Sequence, residues 1–410
     1  MDNVTHTVAG LLLAEAAGQL RARQTLATPS ARFRAVAAVS SAIAANLPDA
    51  DLLYTGVGAD RLAYMLHHRG YTHTIVAALL GAVLVWGAGL LVLRWRRPAP
   101  TRADVRWLLG LLLVSTFSHL VLDWTNSYGV HPFWPFDDRW KYGDSVFIVE
   151  PWLWVVSVPA LVAASTNRVA RGLLSLVLLA GLVLAWRVPL VSSGAATALT
   201  VGAVVSVGLA RVLSPRVRAA AAGASWVAVT LVMAMGAAQA RGAALRAARE
   251  ADPAAEVLDV VVSPLPANAV CMTVITVERS GATYRVATAR VSAAPSVTDA
   301  SRCGVRGSAD ATLQPSARRS TATVQWDSEW TATNAELATL ARESCPALAA
   351  LRFIRVPAWR AISDSIVLIG DVRYGGAASG FSSVRVPRRS AACPDDVPPW
   401  TPPRADLLGL

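Results

Sequence analysis

The stretch LLGLLLVSTFSHLVLD, residues 108–123, decides the fold. It is apolar almost throughout, yet it carries His119 and Asp123 four residues apart, on one face of a helix. An ionisable residue at the centre of a membrane span costs about 2.5–3.5 kcal/mol on insertion scales, so a function is the default reading for both. Outward from it, long apolar runs occupy 74–93, 107–122, 147–164, 172–186, 190–210 and 219–238. A span takes about 20 residues, or about 17 where the flanks snorkel, so 107–122 and 172–186 are short. Two weaker Ala- and Leu-rich segments, 7–20 and 31–47, each fit a short span or a half-buried helix. The 410-residue chain is 54% hydrophobic and only 16% charged, against about 25% charged in a soluble protein, so lipid is the expected solvent.

Loop charge sets an expected orientation. Arg21, Arg23, Arg32 and Arg34 lie between the two weak segments, and Arg94, Arg96, Arg97, Arg102 and Arg106 between the first two strong ones. Arg168 and Arg171, then Arg211, Arg216 and Arg218, fill every second loop after that. The positive-inside rule puts these loops in the cytoplasm. Loops 46–73, 125–146 and 187–192, the N-terminus and everything after 240 then face outward. Met1-Asp2 opens acidic, without the basic start of a cleavable signal, so the first helix is expected to stay. The net charge of +11 rests on 37 arginines and one lysine, Lys141. It tracks topology, with no Arg-rich face interleaved with aromatics, so no nucleic-acid partner is expected.

Residues 241–256 read as a polar, helix-prone linker. From 257 to 410 the pattern changes to short β-branched runs punctuated by turns such as Ser280-Gly281, with an Ala-rich helix near 333–351. The expected architecture is a mainly α multi-pass membrane bundle over 1–240, followed by an extracytoplasmic β-rich (α+β) domain. Cys271, Cys303, Cys345 and Cys393 all fall in that domain. An even count on the outer side suits two disulfides, with three pairings open.

The six histidines, His6, His67, His68, His73, His119 and His131, all lie in the first third and share one side of the expected topology. Carboxylates accompany them: Asp2 is four residues before His6, Asp123 four after His119, and Asp49 and Asp51 lie between. Imidazole plus carboxylate is a ligand set for zinc, manganese or iron, and catalytic sites leave one position open. Pro48 and Gly70 break the backbone beside the loop groups and let them converge in one pocket. Asp49 and Asp51 can bridge two ions, or one can bind while the other orients or deprotonates water. Arg69 reads either as a phosphate-neutralising group or as a snorkelling residue. Asp2 reads as a helix cap or a supporting group, Glu15 as a polar contact or a site residue, His67 as the neighbour that exposes His68, and His131 as an interfacial loop residue. Trp124, Phe133, Trp134, Phe136, Trp140, Trp152 and Trp154 read as an interfacial belt.

At Asp2-Asn-Val-Thr-His6-Thr, Pro48-Asp49-Ala-Asp51, His68-Arg-Gly-Tyr-Thr-His73-Thr, Ser118-His119-Leu-Val-Leu-Asp123, Tyr128-Gly-Val-His-Pro-Phe-Trp-Pro-Phe136 and Tyr142-Gly-Asp144 the chain resembles the YdjM-like family of inner-membrane metal-dependent hydrolases. Asp371-Val-Arg-Tyr-Gly375 is similar to a short element near the end of such proteins. The resemblance implies a bacterial inner-membrane location. It also implies a distant likeness to the zinc phosphoesterases of the phospholipase C and P1 nuclease group. Its ligand set falls on His6, Asp49, Asp51, His68, His73, His119 and Asp123. Asp51, Asp49 and Arg69 take the catalytic roles, and Asp2, His67, His131 and Asp144 are candidates for supporting the ligands. The expected activity is metal-assisted hydrolysis, zinc first, of a phosphoester or lipid-linked substrate reached from the outer leaflet. The competing class is a non-catalytic membrane protein with a structural or transport-related metal; the near absence of ionisable residues in the spans over 147–238 speaks against a conduction path.

Overall fold

The structure is a computed structural model that describes residues 1–25, 28–56, 60–95, 98–304, 313–377 and 380–409. In chain order the helices of the first part are α1 (Asn3–Thr25), α2 (Ala31–Asn46), the short α3 (Leu52–Thr55) and α4 (Arg61–His67), then α5 (Ile75–Arg94), α6 (Arg102–Trp124), α7 (Pro151–Ala164), α8 (Arg168–Arg187), α9 (Ser193–Val212) and α10 (Pro215–Ala251). Each of the eight apolar segments is a helix. By length and composition α5, α6, α8, α9 and α10 can cross a membrane, while α7 has only 14 residues. Starts are set by capping: the Thr74 hydroxyl accepts from Ala77 N at the head of α5, and Thr101 and Asp104 form a reciprocal box at the head of α6. Arg96 and Arg97 of the expected cytoplasmic loop lie outside the described residues.

The weak segments are packed helices. Gly10 of α1 meets α2 so closely that a Cβ there would stand 2.7 Å from the Ser41 carbonyl oxygen. Ser41 donates to Gly10 O at 2.7 Å or shares its proton with Ser115 Oγ of α6, also at 2.7 Å. Small residues thus let three backbones approach where apolar burial gives no drive between helices in lipid. At the opposite end Arg21 pairs with Asp104 at 2.7 Å. Glu15 accepts from Gln19 within α1 and takes no part in the site.

The second part is an antiparallel sheet of β1 (Glu256–Leu265), β2 (Asn268–Ser280), β3 (Thr283–Ser292), β4 (Gln314–Pro315) and β5 (Val324–Thr333), in the order β1-β2-β3-β5-β4. It is followed by α11 (Asn334–Glu343), α12 (Cys345–Leu351), a smaller sheet β6 (Pro357–Ala361), β7 (Ile366–Asp371) and β8 (Val384–Pro387), and α13 (Ala405–Leu408). The cysteines pair as Cys271–Cys303 and Cys345–Cys393. Within the helix-prone stretch 241–256, residues up to Ala251 are helical and continue α10. α10 runs unbroken to Ala251, and Ala237, Ala240, Ala243, Ala244 and Ala248 pack on Val260, Val262, Met272 and Val274. An alanine stripe at helical spacing is polar in its flanks and apolar on one face, which average composition conceals.

The two parts are fastened by buried charge. Arg355 binds both oxygens of Asp144 at 3.0 Å and pairs with Asp259, and Arg241 reaches Asp144 at 2.7 Å. Arg373, clamped to Asp371 at 2.7 Å, donates to Ser127 O at 2.5 Å. The indole of Trp400 donates to Leu66 O at 2.8 Å. The expected aromatic belt is only partly at the surface. Trp124, Phe133 and Phe136 are exposed, but Trp140 and Trp154 are buried, their indoles donating to Arg352 O and Thr5 Oγ1.

Candidate metal centre

α1, α6 and the loop from Leu47 to Thr74 meet at the end of the bundle beside the sheet domain. Leu47–Asp51 and Tyr71–His73 are single 3-10 turns, which aim Asp49, Asp51 and His73 inward from either side. His119 and Asp123 face them from the last turns of α6. His6, Asp51, His73, His119 and Asp123 are wholly buried, and Asp49 and His68 nearly so.

Four acceptor atoms converge. His73 Nε2 lies 3.0 Å from His119 Nε2, 3.0 Å from Asp123 Oδ2 and 3.4 Å from Asp49 Oδ1. His119 Nε2 lies 3.2 Å from Asp123 Oδ2 and 3.6 Å from Asp49 Oδ1. Ligand bonds of about 2.0–2.1 Å in a tetrahedron put ligand atoms about 3.3 Å apart, and these distances bracket that value.

The tautomers follow from the other ring nitrogens. His119 Nδ1 faces the Ala45 carbonyl at 2.7 Å, which only accepts, so Nδ1 carries the proton and Nε2 a lone pair. Thr72 gives its single hydroxyl proton to Asp51 Oδ2 at 3.1 Å and therefore accepts from His73 Nδ1 at 3.0 Å, which leaves His73 Nε2 a lone pair too. Burial pulls His73 down to about 3, so the ring is neutral at neutral pH. Two imidazole lone pairs and two carboxylates pointing at one another are repulsive unless a cation lies among them. Asp49 Oδ1, buried, has no hydrogen-bond partner, as expected of a ligand atom.

A second group shares Asp49 and adds Asp51 and His68, with ligand atoms within 4.8 Å of one another. Asp51 Oδ1 lies 3.1 Å from His68 Nδ1, while Oδ2 accepts from the Arg69 amide at 2.8 Å and from Thr72. Burial alone would raise the Asp51 carboxyl; hydrogen bonds from the His68 ring and the Arg69 amide hold it below the usual range.

The remaining expected residues fall around these groups. His6 is in neither; it stacks on His119 with ring centroids 3.8 Å apart and places Nε2 3.2 Å from Asp123 Oδ1. Arg69 does not snorkel. It is 2% exposed, its guanidinium bonds Asp123 Oδ1 and Asn126 Oδ1 at 3.0 Å, and it lies over the Tyr128 ring. Its φ of +61° is a left-handed conformation that costs a bulky residue about 1–3 kcal/mol. It turns the chain so that His68, the Arg69 amide and the guanidinium all reach the site. The Met1 amino group also contacts Asp123 Oδ1.

Three expected supporting residues lie elsewhere. Asp2 caps α1, accepting from Val4 N and Thr5 N. His67 is half-exposed at the end of α4 and belongs to neither group. Asp144 is neutralised by Arg355 and Arg241, a fastening between the two parts. His131 is buried between Trp140 and Trp400, at 3.9 and 3.8 Å between ring centroids, and touches the site only through its Nδ1, 3.4 Å from Arg69 O. Sequence reading passed over Asn3, which donates to Asp49 Oδ2 at 3.1 Å, as well as Thr72, Asn126 and the Ala45 carbonyl. Asn3 and Thr72 lie inside the motif stretches; a backbone carbonyl has no sequence signal at all.

Residues 1–194 match the YdjM inner membrane protein family. Over this stretch, a little under half of the chain, it is similar to that family. The match runs from α1 to the start of α9 and takes in every candidate ligand, whereas α10 and the sheet domain lie beyond it. No curated protein and no solved structure matches the chain, so none of these comparisons shows the likeness to phospholipase C and P1 nuclease that the family resemblance implied.

Proposed function

We propose that this chain is a membrane-bound, metal-dependent hydrolase acting on a phosphoester or lipid-linked substrate at the non-cytoplasmic face of the membrane. The observation that carries the reading is the convergence of His73 Nε2, His119 Nε2, Asp49 Oδ1 and Asp123 Oδ2 on one point. A divalent ion, zinc by the donor set, satisfies all four, with manganese or iron as other candidates. When bound, such an ion polarises a phosphoryl oxygen and lowers the pKa of water.

The two groups differ in ligand count. Asp49, His73, His119 and Asp123 supply four donors and close a site; Asp49, Asp51 and His68 supply three and leave room for a non-protein oxygen. That open position supports hydrolysis over a purely structural metal. In this reading His6 and Arg69 fix Asp123, Asn3 fixes Asp49, and Asp51 orients the attacking water or helps to hold a second ion. A lipid substrate suits a site inside a bundle bounded by lipid, and no nucleic-acid partner is proposed.

The test is a panel of phosphodiester, phospholipid, peptide and amide substrates offered to the detergent-purified chain, as isolated, after chelation and after zinc or manganese is restored. Metal-dependent cleavage of a phosphoester is expected, with Asp51→Asn slowed by about 100-fold or more. A metal-loaded chain that cleaves none of them contradicts the hydrolase reading.

A further inference from the structure

Beside α4 lies a second cleft, of about 550 Å³, between that helix and the small sheet β6-β7-β8. Its lining includes Arg61, Arg360 and Arg385. Strand register explains two of them. Arg360 is paired with Leu368, and Leu368 with Arg385, so the three stand in a row on one face of the small sheet. With strands about 4.8 Å apart, the two arginines stand about 10 Å apart across Leu368. Arg61 closes the cleft from the side of α4.

The charge in this cleft is unbalanced. Among the described lining residues Asp60 is the only carboxylate, and its Oδ1 accepts from Ala63 N at 2.7 Å as the cap of α4. None of the three arginines takes part in an ion pair among the described residues; Arg61 and Arg360 make only hydrogen bonds to the Gly380 and Ala377 carbonyls, at 3.3 and 3.2 Å. Elsewhere in the sheet domain Arg285, Arg290, Arg318, Arg355 and Arg373 each meet a carboxylate within 3.0 Å. Three like charges gathered without counter-charge are what an incoming anion would neutralise.

α4 connects this cleft with the metal centre. Arg61, Tyr64 and His68 are spaced i, i+3, i+7 and share a face, and the Tyr64 and His68 rings stack at 4.9 Å. Seven residues at about 1.5 Å rise put the two ends about 10 Å apart. We infer that Arg61, Arg360 and Arg385 form a subsite for a phosphate-type oxyanion, and that the substrate carries at least two anionic groups, one seated here and one at the metal centre. The second clause rests on the hydrolase reading; the first does not.

The experiment uses the full chain in detergent, stripped with chelator so that no anion binds through metal. Inorganic tripolyphosphate is titrated in one arm and mixed micelles containing phosphatidylglycerol in the other. Binding is expected in at least one arm, weakening as salt rises. Arg360→Gln and Arg385→Gln should each weaken it about 10-fold, one charge-assisted contact apiece, with Arg385→Lys retaining part. Arg302→Gln, on an exposed turn before the disulfide at Cys303, should leave it unchanged. Tripolyphosphate binding alone identifies a free phosphate chain, and micelle binding a lipid headgroup; either supports the subsite. No binding in either arm, or binding that Arg360→Gln/Arg385→Gln leaves at wild-type strength, overturns it. Anion binding with no hydrolysis of any substrate would sink the hydrolase reading and leave the subsite standing.

Discussion

Buried charge occurs in both parts of the molecule, and it is arranged in opposite ways. In the sheet domain and its junction buried arginines meet carboxylates: Arg355 with Asp144 and Asp259, Arg373 with Asp371, Arg318 with Glu278. At the end of the bundle, acceptors meet acceptors across 3.0–3.6 Å, with Arg69 and the Met1 amine engaged on the far oxygen of Asp123. Burial of charge by itself therefore says little about function. The sign balance separates a fastening from a binding site.

The comparison breaks first at His119. Changing it to Ala removes one of four donors, and even the loss of a supporting contact weakens metal affinity 10–100-fold. Metal affinity should fall by at least about 100-fold, read by competition with a chelating dye, while size-exclusion behaviour stays that of the wild type. Asp123→Ala is a poorer choice, because it would also leave the buried Arg69 guanidinium without its carboxylate.

The matched side should behave in the reverse manner. Arg355→Met strands Asp144 and Asp259 against Arg241 and Arg404 alone, and breaking a buried pair typically costs about 3–5 kcal/mol. A lower melting temperature with unchanged metal content is expected. Loss of metal in Arg355→Met would mean that the sheet domain builds the centre as well as covering it.

The smallest effect is expected at His131, the residue that links the two parts. Burial between Trp140 and Trp400 pulls it down to about 3, against about 6.5 when unfolded. Between those values the unfolded chain binds the extra proton, so this contribution is complete above about pH 6.5 and declines as pH falls towards 3. His131→Phe keeps a ring in the sandwich and should flatten the fall in melting temperature between pH 6.5 and 5. An unaltered slope would show that His131 is not held neutral by its surroundings.

Much of the bundle was legible because lipid demands long apolar runs, and all eight were readable, down to the weak pair that Gly10 and Ser41 lock together. The ligand set was legible for the same reason, since His119 and Asp123 are costly where they stand. What escaped depends on contacts between distant segments. The Asp144–Arg355 pair spans 211 residues, and Asp144 therefore resembled a site residue. The burial and left-handed turn of Arg69 have no local signature, nor does the Ala45 carbonyl that sets the tautomer of His119. β6 carries no such signal, since Pro357-Ala-Trp-Arg-Ala361 lacks β-branched residues, and the alanine face by which α10 packs on the sheet is hidden in the polar average of 241–256.

Metal content of the wild-type chain, purified in detergent without added metal and then dialysed against zinc, tests the central claim most directly. At least about one tightly held divalent ion per chain is expected, released as pH falls and the histidines protonate. Elemental analysis that finds no bound divalent ion after zinc saturation, in protein that remains folded, would contradict the claim that these four acceptors are built around a cation.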